Sequence, residues 1–183
     1  MRDERVLVTG GAGFIGSNLA NELAEQNDVV VVDDEYLGTQ ANVDESVEYH
    51  QASVLEEDLP TDVDVVYHLA ALSSTKHHQN NPVRGAEVNV AGFVSVMEKA
   101  LEFGIEDVVY ASSSTVYGNP IIPTHEEVEL NPTTRYAASK AARERYAVAY
   151  RELGLNMAGC RFFSTYQGYE HQEGHKGEHG NII

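Results

Sequence analysis

The sequence predicts an α/β protein built on a doubly wound parallel sheet with helices on both faces. Three observations carry that reading. Short apolar runs alternate with longer helical patterns from end to end, the signature of a parallel sheet with crossover helices. A glycine-rich turn, Gly10-Gly11-Ala12-Gly13-Phe14-Ile15-Gly16, follows the first run directly and opens the first helical pattern. No internal repeat, low-complexity tract or proline-rich linker breaks the series, and 183 residues suit one domain.

In chain order, strands are expected at residues 5–9, 29–33, 47–51, 63–69, 107–112 and 156–161. Helical patterns occupy residues 14–26, 82–103 and 134–153, the last two long and moderately amphipathic. Gly104 and Gly154 follow those two as C-terminal stops. From Tyr166 onward Gly, His and Glu dominate without periodicity, which reads as a loop, and the chain stops abruptly at an apolar Ile182-Ile183.

Composition narrows the function classes. A formal net charge of -17 is spread along the chain, so nucleic acid and anionic membranes would be repelled. No apolar run approaches the roughly 18 residues of a membrane span, and residues 1–5 lead straight into a strand without a signal-peptide core. The single Cys160 excludes an internal disulfide; together these features predict a cytoplasmic protein. With 29 acidic residues against only four lysines, adaptation to high salt is expected, an ordinary acidic protein being the alternative.

Gly10, Gly13 and Gly16 form a G-x-x-G-x-x-G pattern between strand and helix. Glycine there permits a tight turn, close backbone approach to a pyrophosphate and close packing of helix on sheet. The first helical turn, with Phe14 and Ile15, supplies N–H groups and a partial positive charge. This is the context of a Rossmann-type dinucleotide site. Asp33 ends the second strand 23 residues after Gly10, placed to accept hydrogen bonds from both ribose hydroxyls. A 2'-phosphate would meet its carboxylate and those of Asp34 and Glu35, so NAD is expected over NADP.

Tyr136 and Lys140, four apart in a helical segment, share one face. A tyrosine is a poor base at neutral pH, but a nearby cation lowers its pKa, and Lys140 is placed to supply one. Upstream, an apolar strand runs into the hydroxyl cluster Ser112-Ser113-Ser114-Thr115. Ligands in open parallel sheets collect at the carboxyl ends of strands, so these hydroxyls should face the cofactor cleft.

The motifs Thr-Gly-Gly-Ala-Gly-Phe-Ile-Gly, Tyr67-His-Leu-Ala-Ala71, Ser-Ser-Ser-Thr-Val-Tyr-Gly and Tyr-x-x-x-Lys occur in one order. The chain thereby resembles the extended short-chain dehydrogenases/reductases, in particular the NAD-dependent nucleotide-sugar epimerase/dehydratase group that includes UDP-glucose 4-epimerases. The resemblance implies Ser113 as the catalytic hydroxyl, Tyr136 as base and Lys140 as its partner, the last two also touching the cofactor. It implies that Leu69, Ala70 and Ala71 line the cofactor cleft and that Asn89 is a structural or cofactor-side polar residue. Ala52-Ser53 stands where the family has Gly-Asp against adenine, which leaves Ser53 as the cofactor contact.

In related dehydratases two acids follow the catalytic hydroxyl; here they are Ser114 and Thr115, which are poor proton donors at neutral pH. The resemblance therefore implies an epimerase that oxidises a sugar transiently to a keto intermediate and returns the hydride to its other face. Ser114, Ser164 (where the family has Asn) and Lys176 become substrate contacts. An idle NAD-binding module, a sugar-nucleotide dehydrogenase/reductase and a dehydratase remain alternatives. His171, His175 and His179 recur every four residues, but Gly174, Gly177 and Gly180 oppose the helix that would align them, and no metal site is expected. Family members of about 300 residues carry a C-terminal domain for the nucleotide sugar. Residues 1–165 are thus expected to be the NAD-binding domain, and residues 166–183 a loop leading toward a missing or truncated substrate domain. A homodimer through the two long helices is also implied.

Overall fold

A computed structural model describes residues 1–56 and 59–165. Six strands form one parallel sheet: β1 (Arg5–Thr9), β2 (Asp28–Asp33), β3 (Glu48–Gln51), β4 (Val65–His68), β5 (Asp107–Ser113) and β6 (Asn156–Phe162). Their order is β3-β2-β1-β4-β5-β6, all neighbours parallel. The chain winds outward from β1 to β3, then crosses back to β4 and winds the other way. The expected class is therefore observed, and the reversal leaves a crevice outside the carboxyl ends of β1 and β4.

Side-chain alternation explains why both faces are buried. Val6, Val8, Val29 and Val31 point to one face, where Ala20 and Leu23 of α1 (Phe14–Ala24) cover them. Leu7, Val30, Val32, Val66 and Val108 point to the other, against Phe93, Val96 and Met97 of α4 (Gly92–Phe103) and Ala147 and Tyr150 of α5 (Arg135–Glu152). The expected strands shift by one or two residues at their ends. Gly104 (φ 72°) and Gly154 (φ 108°) adopt the left-handed geometry expected after α4 and α5.

Two helical features depart from the sequence expectation. A short helix α2 (Thr75–Asn80) forms before the expected long one, capped by Ser74, whose Oγ accepts from His77 N at 3.2 Å. Asn81, at φ -141° and ψ 73°, separates it from α3 (Pro82–Ala86), in keeping with the bias of a pre-proline residue away from helix. The expected helix at 82–103 is not one α-helix. A π-helical turn, Glu87–Ala91, stands between α3 and α4, and Asn89 within it is fully buried. The extra residue alters the hydrogen-bond ladder locally, and the Asn89 carbonyl accepts from Arg143 Nε at 2.6 Å.

Helix α5 starts at Thr134, whose Oγ1 accepts from Ala137 N at 3.1 Å. Its buried residues Tyr136, Lys140, Arg143, Ala147 and Tyr150 follow a four-three spacing, which is one helix face. That face is polar where it passes the crevice and apolar farther along. Among the described residues no helix is long and apolar enough to cross a membrane.

Candidate active site

The crevice is one cleft shared by the glycine turn, the ends of β2, β4 and β5, and the start of α5. Gly10, Gly13, Phe14, Ile15, Gly16, Asp33, Ser53, Leu69, Ala70 and Ala71 all line it. Ser113, Ser114, Tyr136, Lys140 and Ser164 line its other side. Lys176 and the three recurring histidines, His171, His175 and His179, lie outside the described residues.

The glycine turn fits a ligand whose backbone approach must be close. Gly10 has φ 73°, and a Cβ on it would lie 2.6 Å from Ala70 N and 2.7 Å from Ala70 Cα. A Cβ on Gly16 would lie 2.1 Å from the Gly10 carbonyl oxygen. These two glycines let the turn, α1 and the end of β4 meet. Gly13 caps α1 with no side-chain hydrogen bond, so first-turn amides of that helix face the cleft.

Asp33 closes the same side. Its carboxylate accepts from Ala12 N at 3.1 Å and from Glu35 N at 2.8 Å, tying the glycine turn to the end of β2. Burial pushes its pKa up, and those two amides pull it back. Asp34 beside it is paired with Arg84 at 3.2 Å. At the end of β1, Thr9 Oγ1 lies 2.8 Å from His68 Nδ1 and 3.4 Å from Ala70 N, holding the two central strand ends together.

On the opposite wall, Ser113 Oγ accepts from Thr115 N at 3.3 Å and from Thr115 Oγ1 at 3.0 Å. Burial pushes the Tyr136 phenol above its ordinary value, and a hydrogen bond with Ser113 and the charge of Arg143 pull it only partly back, so the lowering expected from Lys140 is not what this structure gives. Lys140 Nζ lies 5.8 Å from the Tyr136 ring centroid and donates to the Ala111 carbonyl at 3.0 Å. Burial, then Arg143, push its ammonium well below the ordinary lysine range. Ser112 also lines the cleft, but its hydroxyl is committed to Glu144, which Arg161 also holds.

Three parts of the site go beyond what the sequence showed. Asn89, expected only as a structural or cofactor-side residue, clasps the Leu72 peptide from both ends, accepting from its N–H at 2.8 Å and donating to its carbonyl at 3.2 Å. Its amide nitrogen also lies 3.0 Å from both His78 Nε2 and Ser139 Oγ. Helix α2 contributes a further wall with Thr75, Lys76, His77 and Gln79, and the Ser74 cap was its only local signal. Arg143, fully buried, donates to carbonyls of Asn89, Ala70 and Ala111. Its spacing places it on the face of Tyr136 and Lys140, but its full burial depends on carbonyls remote in the sequence.

Residues 6–180 match the profile of the NAD dependent epimerase/dehydratase family. A putative UDP-glucose 4-epimerase of Methanocaldococcus jannaschii is 36% identical over 186 residues, covering 97% of this chain and 60% of the relative. The structure of UDP-N-acetylglucosamine 4-epimerase from Methanobrevibacter ruminantium, in complex with UDP-N-acetylmuramic acid, superposes with a TM-score of 0.85 at 33% identity, covering 90% of this chain and 56% of that one. UDP-glucose 4-epimerase of Thermus thermophilus, in complex with NAD, gives a TM-score of 0.80 at 34% identity, covering 93% and 59%. This chain thus spans less than two thirds of the length of these relatives. On the extent of that match, the chain belongs to the NAD-dependent epimerase/dehydratase family.

Proposed function

We propose that this protein is an NAD-dependent epimerase of a nucleotide-activated sugar. The observation that carries the reading is the meeting of the glycine turn and Asp33 with Ser113, Tyr136 and Lys140 in one cleft. The glycine cradle, the uncapped start of α1 and the acid at the end of β2 suit a dinucleotide: Gly10, Gly13, Phe14, Ile15 and Gly16 against its pyrophosphate, Asp33 against its ribose. Ser53, Leu69, Ala70 and Ala71 would complete that half. When bound, NAD supplies a reversible hydride acceptor.

The chain's own residues handle the proton. Tyr136 Oη takes the proton of the sugar hydroxyl as that carbon is oxidised, and gives it back when the keto group is reduced on its other face. Ser113 would hold the same oxygen by hydrogen bond, and Lys140, 5.8 Å from the Tyr136 ring centroid, would partner the phenol and touch the bound cofactor. Ser114 is a substrate contact on this reading, and neither it nor Thr115, the two positions after Ser113, is an acid that could expel water, which disfavours dehydration. Ser164, on the cleft wall, and Lys176 are the remaining proposed substrate contacts. On this reading residues 1–165 form the cofactor domain, and chain beyond them recognises the nucleotide sugar.

Incubation with NAD and a panel of nucleotide sugars tests the activity, with epimeric products resolved by proton NMR. Calorimetry should show NAD binding at least tenfold tighter than NADP, because Asp33 already accepts two amides and would face the 2'-phosphate. Tighter NADP binding would overturn the cofactor assignment. NAD binding without turnover on any sugar would favour a non-catalytic module.

We further propose a homodimer through α4 and α5 and adaptation to high salt. Phe103 on α4 and Tyr146 on α5 are 54% and 44% exposed, apolar surface that a helix-to-helix contact would cover. Light scattering and thermal melts from low to molar KCl should give a dimer mass and a melting temperature that rises with salt. A monomer mass, or a melt indifferent to salt, would refute the respective half.

A further inference from the structure

We propose that Arg161, at the end of β6, is a positioning residue for the substrate side of the cleft: with Glu144 of α5 it fixes Ser113, Tyr136 and Ser164 relative to one another. This role deepens the epimerase reading and rests on it for the reaction served.

The guanidinium of Arg161 binds through each of its nitrogens. Nε and Nη2 donate to the two carboxylate oxygens of Glu144 at 2.9 and 2.8 Å, a two-point fork between β6 and α5. Nη1 donates to Tyr117 Oη at 3.0 Å and to the Glu126 carbonyl at 2.7 Å. The guanidinium carbon also lies 4.8 Å from the centroid of the Tyr117 ring. A lysine, one point charge on a flexible stem, would not hold these partners together.

Those partners support the proposed catalytic groups. Glu144 stands one turn past Lys140 and two turns past Tyr136 on α5, and it also accepts from Ser112 Oγ. Ser112 pairs in register with Arg161, and Ser113 with Phe162, so the fork fixes the strand end that presents Ser113. Tyr117 closes the turn Ser114–Tyr117 that follows. Glu126 lies in the segment 118–133, which joins that turn to the start of α5 and Tyr136. Past Arg161 the chain runs through Phe163, whose ring centroid is 6.3 Å from that of Tyr117, to Ser164 on the cleft wall. One side chain thus grips the segments that carry the hydroxyl, the base and a substrate contact.

The fork is sheltered, with the two side chains 22% and 13% exposed, unlike an ion pair on an open surface. Burial pushes the Glu144 carboxyl up, but hydrogen bonds from Arg161 and Ser112 outweigh it and hold the group below its ordinary value. The glycine turn and Asp33 follow β1 and β2, with β4 and β5 between them and Arg161. Loss of Arg161 should therefore reach the sugar chemistry and spare the cofactor.

NMR and calorimetry of the full chain test this. With Cζ-13C tyrosine, Tyr136→Phe assigns the Tyr136 signal among ten, and Ser113→Ala shows which way that signal moves when its hydrogen bond is lost. Arg161→Met should move it the same way and lower sugar turnover about tenfold to hundredfold, the effect of a misplacement of about 1 Å. NAD affinity should stay within about twofold. The double variant Arg161→Met/Glu144→Gln leaves no orphaned carboxylate, so it gives the same readouts if the single variant fails to fold. Arg151→Met is the comparison: Arg151 also joins α5 to β6, through the Met157 carbonyl at 2.8 and 3.1 Å, but near the start of the strand. It should leave the Tyr136 signal in place. An unmoved Tyr136 signal in the double variant, an equal displacement in Arg151→Met, or NAD affinity that falls as far as turnover would overturn the proposal. A wild-type chain that binds NAD and turns over no sugar would count against the epimerase reading alone, because the Tyr136 signal and NAD affinity report the positioning without sugar.

Discussion

Tyr136→Phe should lower turnover by about a hundredfold to ten-thousandfold, the usual contribution of a positioned acid–base group, while NAD still binds. The substitution removes one oxygen and little else. Tyr136 packs edge-on against His78 with ring centroids 5.6 Å apart, and a phenylalanine ring keeps that contact. The lost hydrogen bond with Ser113 is worth about 0.5–1.5 kcal/mol, so the melting temperature should fall by only a few degrees. NAD affinity should fall by no more than that single bond, because Gly10, Gly16 and Asp33 form the rest of the cradle. Product formation by NMR, with NAD binding by calorimetry on the same sample, separates the two effects. A Phe variant that retains more than about a tenth of the rate would remove Tyr136 from the role of base.

Gly10→Ala should abolish NAD binding and destabilise the protein more than the same change at Gly104. Both glycines have nearly equal backbone angles, φ 73° and 72°, so the left-handed conformation costs an alanine about 1–2 kcal/mol at either place. Their surroundings differ. A Cβ on Gly104 meets nothing within 4 Å, whereas on Gly10 it meets Ala70 N, Ala70 Cα and Leu69 C at 2.6–2.9 Å. Those are backbone atoms at the end of β4, and they cannot swing aside as a side chain would. Relief requires moving β1 from β4 at the crevice, with a further cost of about 1–3 kcal/mol and loss of the cradle. Melting temperature and NAD calorimetry on both variants isolate the clash. Equal behaviour of the two would show that the close approach at Gly10 is not what holds the cofactor side together.

Both predictions rest on residues that were legible in the sequence. The glycine turn, Asp33, Ser113, Tyr136 and Lys140 each belong to a short segment whose spacing carries its own geometry, and all of them line one cleft. The strands were legible for the same reason: Val29 to Val32 alternate faces yet are all buried, so the run is uniformly apolar. Helix α2 was not legible, because six residues, Thr75–Asn80, hold too few turns for a period. Nor was the π-helical turn at Glu87–Ala91, where the pattern of 82–103 reads as one helix. The turn meets partners elsewhere in the chain: Asn89 reaches Leu72, 17 residues back, and Arg143, 54 residues on.

The sequence by itself determined the α/β class, the positions of six strands and which short segments meet in the cleft, since each is written in local periods and short spacings. Only the tertiary structure decided the order β3-β2-β1-β4-β5-β6, the crevice at the β1–β4 reversal and the burial of Arg143 beside it. Arg143 shows the reason. On its helix it is an ordinary arginine three residues after a lysine. Its buried place comes from carbonyls 32, 54 and 73 residues away that fold around it and accept its hydrogen bonds.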